Sequence, residues 1–349
     1  MAVRTVVVCE VQVPFVTGGA ERLVRALVEQ FRARGYLTEL VSVPFTWTPK
    51  DEILTHAAAW RLINLGESNG RPIDLAIVTK FPSYFVRHPN KVAWLMHQFR
   101  AAYELCDTPY SDFVHTEEDV GVRRTLVELD RKMLGECQRL FAIAQNTASR
   151  LERFNGLRAE SLYHPPPLAD RLRPGDYGDY VLSVGRLETV KRIDLALQAM
   201  RFTDAPLRLV IAGDGTQREN LENLAVAREV SHRVDFLGQV DDEQLVELYA
   251  GALAVVYAPF DEDYGYITLE AFLARKPVVT AHDSGGTLEF VEDGVNGVVC
   301  EPTSEAIGSA VNALAADRGR AASLGGAGFE RARAISWDGV IERLVGTDA

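Results

Sequence analysis

Pro165, Pro166 and Pro167 stand in a row near the middle of a 349-residue chain, with Pro174 and Gly175 close behind. Consecutive prolines remove consecutive N–H donors and fix φ, so neither a helix nor a central strand can run through them. On both sides of this break, strand-like apolar runs alternate with helix-like ones. "RTVVVCEV", "LTELVSV", "DLAIVTK", "KVAWLM" and "RLFAIA" precede it; "YVLSVG", "LRLVIAGDG", "VDFLGQV", "LAVVYAP", "KPVVTA" and "NGVVCEP" follow it. The stretch "AERLVRALVEQFRARG" between the first two runs is amphipathic and closes on Gly35. Short β-rich runs separated by helices imply a parallel sheet covered on both faces. The expectation is therefore an α/β chain of two doubly wound, Rossmann-like domains facing a central cleft. Residues 1–165 form the first and 180–334 the second, with 166–179 as the linker. "ISWDGVIERLVG" follows the last strand as a short amphipathic helix, and residues from about 335 to 349 are expected to cross back to the first domain.

Composition narrows the function. Apolar residues at 47% and charged residues at 25% are ordinary for a globular protein. No run approaches the ~20 apolar residues of a membrane span. "MAVRTVVVCEVQV" is a poor signal peptide, being short, β-branched and broken by Glu10, so the expected location is the cytoplasm. A net charge of −12 argues against a general nucleic-acid binder. Arg131, Lys132, Arg139, Arg150, Arg153 and Arg158 do cluster, either as solvated helix faces or as a contact for an acidic partner or membrane surface. The four cysteines form no C-x-x-C and the seven histidines no H-x-x-x-H, so a metal site is not expected.

In open parallel sheets ligands bind beyond the carboxyl ends of the strands, and four loops there carry informative residues. In "PFVTGGAERLV", Gly18 and Gly19 would let a ligand approach the backbone at a helix N-terminus. The stretch lacks both G-x-G-x-x-G and a P-loop lysine. In "SVGRLETVKRIDLAL", Arg186 and Lys191 suit a pyrophosphate, although surface charges would look the same. "VIAGDGTQRENLENL" holds Gly213 and Gly215 in a turn that needs no ligand. In "FDEDYGYITLEAFLARKPVV", a helix begins after Gly265, and the N–H groups of Tyr266 and Ile267 could bind phosphate oxygens. Glu262 and Glu270 flank that helix start. A glycosidase pair needs carboxyls ~5–5.5 Å or ~6.5–9.5 Å apart. Nothing in the sequence forces that fold-back, and two contacts along one extended ligand fit the spacing more easily.

Taken in order, "GGAERLVRAL", "VGRLETVKRIDLAL", "IAGDG", "FLGQV", "EDYGYITLEAFLARKPVV" and "SGGTLEFVEDGVNGVV" resemble the retaining glycosyltransferases of family 4, with their E-x7-E block and GT-B fold. The resemblance covers nearly the whole chain and is strongest over residues 180–300. It implies a nucleoside-diphosphate sugar donor, UDP- or GDP-linked, held by the second domain. The first domain would hold an unknown acceptor. No metal and no further cofactor are implied. Carried over, Arg186 and Lys191 would hold the pyrophosphate, Glu270 the ribose hydroxyls, and Glu262 the transferred sugar. The N–H groups of Gly265, Tyr266 and Ile267 would lie near the phosphates, and Val240 near the base. Asp242, if it faces the base, hints at guanine. His97, after "VAWLM", would contact the sugar. The family usually has glycine where Arg275 stands, and "YELCDTPYSDFVHTEEDVGVRRTLVELD" matches no general pattern. Two other readings stay open: a sugar-nucleotide epimerase or hydrolase on the same fold, and a non-catalytic sugar-nucleotide-binding subunit.

Overall fold

The computed structural model describes residues 3–16, 18–204 and 206–346. The chain divides into two compact units, Met1–His164 with Ser336–Ala349, and Pro165–Ile335.

The first unit is built on a six-stranded parallel sheet. Its strands are β1 (Thr5–Gln12), β2 (Leu37–Pro44), β3 (Leu75–Lys80), β4 (Lys91–His97), β5 (Arg139–Ala142) and β6 (Glu160–Ser161), in the order β2-β1-β3-β4-β5-β6. A two-residue hairpin, Glu67–Ser68 with Arg71–Pro72, stands outside it. Successive side chains of a strand point to opposite faces. All six interior positions of β1 and all six of β3 are buried, so both faces of the sheet are covered. Helix α1 (Gly19–Ala33) buries Leu23, Val24, Leu27, Val28 and Phe31, the helical spacing read from the sequence. Helices α2 (Glu52–Leu62), α3 (Glu117–Leu134) and α4 (Gln145–Asn155) complete the unit, with Cys9, Ile53, Trp60, Val78, Leu95, Phe113 and Leu126 in one core.

The segment after His97 that matched no pattern is anchored by a buried polar chain. Gln98 Nε2 donates to Asn155 Oδ1 (2.9 Å), Asn155 Nδ2 donates to Tyr103 Oη (3.2 Å), and Tyr103 Oη donates to Asp130 Oδ2 (2.6 Å). Burial pushes the Asp130 carboxyl up to about 7 against the lowering effect of its hydroxyl partners.

The second unit carries β7 (Tyr180–Val184), β8 (Arg208–Ala212), β9 (Val234–Gly238), β10 (Ala254–Val256), β11 (Val278–Ala281) and β12 (Gly297–Cys300). All are parallel, in the order β9-β8-β7-β10-β11-β12. Reading by position in the unit this is 3-2-1-4-5-6, the Rossmann order. Helices α5 (Ile193–Ala199), α6 (Arg218–Ala227), α7 (Asp242–Gly251), α8 (Tyr266–Leu273), α9 (Ser304–Ala316) and α10 (Arg318–Ala332) surround it, over a core that includes Val181, Leu197, Ile211, Val256, Val279 and Val311.

The proline-rich stretch expected as a linker is pinned to this second unit. Arg171 pairs with Asp242 and Glu243, and Arg173 with Glu247. The buried Lys276 ammonium donates to the carbonyls of Gly175 and Asp176, both at 2.9 Å. Gly175 itself lies so close to Ala250 that a Cβ would stand 2.5 Å from its carbonyl oxygen. Helix α11 (Trp337–Val345) packs in the first unit, where Arg139 donates to the carbonyls of Arg343, Leu344 and Val345 at the helix end. Residues 347–349 of the expected crossover lie outside the described residues.

Arg275 occupies the left-handed region, φ 57°, so the turn keeps the shape a glycine would give it. Its guanidinium stacks on Phe329, 4.4 Å from the ring centroid. The backbone cost of an L-residue there is about 1–2 kcal/mol, and the stacking returns about 0.5–1 kcal/mol. Among the clustered basic residues, Arg150 pairs with Glu104, Arg158 with Glu152, and Arg139 serves the helix end.

Two stability measurements follow from this packing. Arg275→Gly should leave the melting temperature within a few degrees of wild type, whereas Arg275→Val, β-branched at positive φ, should lose about 2 kcal/mol in denaturant melts. For Asp130, a carboxyl raised in the folded state stabilises at low pH, and that contribution fades as pH rises through about 7. The stability of Asp130→Asn relative to wild type should therefore improve by up to a few kcal/mol between pH 5 and pH 8.

Candidate active site

The second sheet reverses its strand order between β7 and β10, and at such a switch point the loops beyond the carboxyl ends diverge and leave a crevice. The loop after β7 contains Gly185, Arg186 and Lys191; the loop after β10 runs from Tyr257 to Gly265. Glycines shape this region by close approach. A Cβ on Gly213, the residue after β8, would lie 1.9 Å from the Gly185 carbonyl oxygen, and one on Gly215 would lie 2.6 Å from that of Leu187. The Gly-Asp-Gly turn thus buttresses the Arg186 loop from behind.

Arg186 is exposed, and its side chain has no hydrogen-bond or ion-pair partner among the described residues. Lys191 closes a short 3₁₀ turn, Thr189–Lys191, and its Nζ lies 2.5 Å from Glu262 Oε2, with both side chains mostly buried. Glu262 is fixed by its backbone: its N–H donates to the Ser284 carbonyl (3.2 Å), and its carbonyl accepts from Gly286 (2.7 Å). These residues, 71 apart in sequence, form one charged centre.

Gly265, φ 83°, caps the N-terminus of α8, where a side chain would press a Cβ to 2.9 Å from Thr287 Oγ1. Tyr266 and Ile267 form the first turn, so their N–H groups belong to the electropositive end of the helix. Glu270 lies one turn further in and is buried. Its Oε2 accepts from Tyr249 Oη at 2.7 Å. Burial and then the Glu270 charge push the Tyr249 hydroxyl well above its usual range, which keeps it a donor. Glu262 and Glu270 are therefore held by different partners, a lysine and a tyrosine. Val240 is half-buried after β9, next to the capping box Asp241 makes with Gln244. Asp242 pairs with Arg171 at 3.1 Å, a use that the reading of a base contact did not anticipate.

The remaining candidates belong to the first unit. Gly18 is the N-cap of α1, and its N–H donates to Glu21 Oε2 (2.8 Å). The other oxygen of Glu21 pairs with Lys80 Nζ (2.7 Å) at the end of β3, both groups buried. Lys80 stands opposite His97 in the β3–β4 register. His97 is half-buried, with Nδ1 2.6 Å from the Gln98 carbonyl oxygen. A carbonyl only accepts, so this contact places a proton on Nδ1. Among the described residues no group of three or more His, Cys, Asp or Glu side chains is placed to hold a metal ion, and no helix is long and apolar enough to cross a membrane.

Two Rossmann-like parallel-sheet units are the architecture of the GT-B fold. The chain superposes on Anabaena HepE in complex with UDP-glucose with a TM-score of 0.73, 17% identity and 98% of each chain covered. Within that fold, residues 171–331 match the family model described as Glycosyl transferases group 1. Relatives include an uncharacterized glycosyltransferase of Methanocaldococcus jannaschii, 34% identical over 169 residues (47% of this chain, 43% of that one). Another is the D-inositol 3-phosphate glycosyltransferase of Nocardia farcinica, 30% identical over 241 residues (62% of this chain, 53% of that one). The chain spans about half the length of these curated relatives.

Sequence reasoning passed over Tyr249, Glu21 and Lys80. Glu21 stands three residues after the N-cap Gly18 and accepts from its N–H, which is half of a capping box; Tyr249 and Lys80 gave no local signal. Removing the hydroxyl in Tyr249→Phe leaves a buried carboxylate short of one donor. Denaturant melts should show a loss of about 1–3 kcal/mol.

Proposed function

We propose that the protein is a retaining glycosyltransferase of family 4 that moves a hexose-type sugar from a UDP- or GDP-linked donor to an acceptor hydroxyl, in glycan, glycolipid or glycoside synthesis. The observation that carries the reading is the Lys191–Glu262 centre at the switch point of the second sheet, beside the loop that leads into α8. In this reading Arg186, Lys191 and the α8 N-terminus, through Gly265, Tyr266 and Ile267, take the diphosphate. Glu262 touches the sugar, Glu270 the ribose, and Val240 lines the base. The group 1 match over residues 171–331 and a fold neighbour described as bound to UDP-glucose support a sugar-nucleotide donor. Gly18, Gly19 and His97 are the first unit's candidate contacts in this reading.

The chemistry divides among these groups. The bond from the sugar anomeric carbon to the phosphate oxygen breaks as the bond to the acceptor oxygen forms on the same face. The acceptor proton passes to the departing phosphate oxygen. Lys191 and Arg186 stabilise the charge that builds on the diphosphate. Glu262, engaged by Lys191, has its negative charge offset and is poorly suited as a nucleophile, consistent with a clamp role. No metal or bound cofactor enters these steps, and the site of action is the cytoplasm.

The test is a panel of sugar nucleotides incubated with EDTA present, with and without candidate acceptors, read by mass spectrometry. Transfer that requires an acceptor is expected. An altered sugar nucleotide without acceptor would instead point to an epimerase or hydrolase. Tight binding with no turnover would point to a binding subunit. Lys191→Ala and Glu270→Ala should each weaken donor affinity at least tenfold, while His97→Ala should lower turnover more than donor affinity. Unchanged donor binding in Lys191→Ala would remove Lys191 from the site.

A further inference from the structure

Lys191 is followed by a residue that holds more of the second unit together than any sequence motif suggests. Arg192 adopts the left-handed conformation, φ 50°, ψ 41°, which an arginine takes only where other contacts impose it. Its guanidinium supplies those contacts. Nε donates to the Ala258 carbonyl (2.8 Å) and Nη2 to the Pro259 carbonyl (2.9 Å). Nη1 and Nη2 meet Asp283 Oδ2 and Oδ1 at 2.7 and 2.6 Å, a bidentate pair. The Arg192 side chain is 10% exposed, so this is an interior fork rather than a solvated surface pair.

The three loops it joins are those that present Lys191 and Glu262. Arg192 leaves the turn after β7; Ala258 and Pro259 lie just past β10; Asp283 lies just past β11. Backbone bonds continue the same stitching. Phe260 N–H donates to Val190 O (2.8 Å), Asp261 N–H to Asp283 O (2.9 Å), and Glu262 N–H to Ser284 O (3.2 Å). The loop carrying Glu262 is therefore sewn on one side to the residue before Lys191 and on the other to the residue after Asp283. The Arg192–Asp283 fork spans both seams. Lysine could satisfy one carboxylate oxygen but not the fork and two carbonyls together, because an ammonium lacks the planar, five-donor geometry.

We propose that Arg192 and Asp283 are positioning residues whose bidentate pair fixes the Lys191 ammonium against the Glu262 carboxylate, and so sets the geometry of the donor site. The positioning claim concerns the protein alone. Its consequence for donor rests on the function proposed above.

Two measurements separate the parts. First, acylation of Lys191 Nζ by an N-hydroxysuccinimide ester is followed by peptide-mapped mass spectrometry, with the exposed Lys132 as internal reference. Asp283→Asn and Arg192→Lys should each raise Lys191 labelling at least threefold relative to Lys132. Glu262→Gln sets the ceiling. Wild-type labelling in both variants overturns the positioning role. Arg192→Lys keeps the test open if Asp283→Asn fails to fold. Second, UDP and GDP binding is measured calorimetrically for wild type, Asp283→Asn, Lys191→Ala and the double variant. Asp283→Asn should weaken whichever nucleotide binds at least fivefold, with no further loss once Lys191 is alanine. Independent, multiplying losses would show that Asp283 does not act through Lys191 and would overturn its place in the donor site. If wild type binds neither nucleotide, the donor reading fails, and the labelling result still decides the positioning role.

Discussion

Covering both faces of a parallel sheet is the constraint on which the rest of this structure depends. Every interior residue of β1 and β3 is buried, and the second sheet is wrapped in the same way. A sheet sealed on both sides leaves its strand ends as the place where polar side chains can reach a ligand without being desolvated. The turns at those ends must then do two things: return the chain into a helix, and hold charged groups still. The 1.9 Å that a Cβ on Gly213 would leave to the Gly185 carbonyl shows how little room the first task allows. Glycine there is a packing requirement rather than a ligand contact.

The two glutamates flanking the start of α8 illustrate the second task. They are eight residues apart in a segment that reads as a possible acid–base pair, yet each is governed by a different neighbour. Glu262 faces a lysine and shares its charge; Glu270 is buried under a tyrosine hydroxyl whose proton is held firmly in place. A carboxylate already compensated by an ammonium at 2.5 Å is a poor nucleophile and a good anchor.

How much of this was legible in sequence depends on the range of the interaction. The α/β class, the parallel strands and the covering helices follow from local patterns of burial, so the runs from "RTVVVCEV" to "NGVVCEP" exposed them. The loops bearing Arg186, Lys191, Gly265 and Glu270 were visible because glycines and charges punctuate strand exits. The pairing of Lys191 with Glu262 was not, since it spans 71 residues and leaves no periodic trace. Tyr249 looked like any core aromatic, and Arg275 looked like a departure from a glycine until its positive φ showed the turn unchanged. The segment after His97 resisted alignment because its fixed points, Tyr103, Asn155 and Asp130, are scattered over two helices and a loop and meet only in three dimensions. The stretch around Pro165–Pro167 read as a tether from composition alone, and the arginines and the lysine that fasten it to the second unit could not be assigned partners in advance.

Helix α11 gives the chain an unusual order of assembly. The second unit is one continuous run of sequence, whereas the first is interrupted by it and recovers Trp337 and the following turns only after residue 335. Trp94 and His164 pack on Trp337, and Arg139 serves the carbonyls at the far end of that helix. During synthesis from the N-terminus, the unit begun first is the one completed last. Its sheet must wait without the Trp337 ring against Trp94 and without the carbonyls that Arg139 serves while the second unit emerges. The first unit is therefore closed late, by a single nine-residue helix.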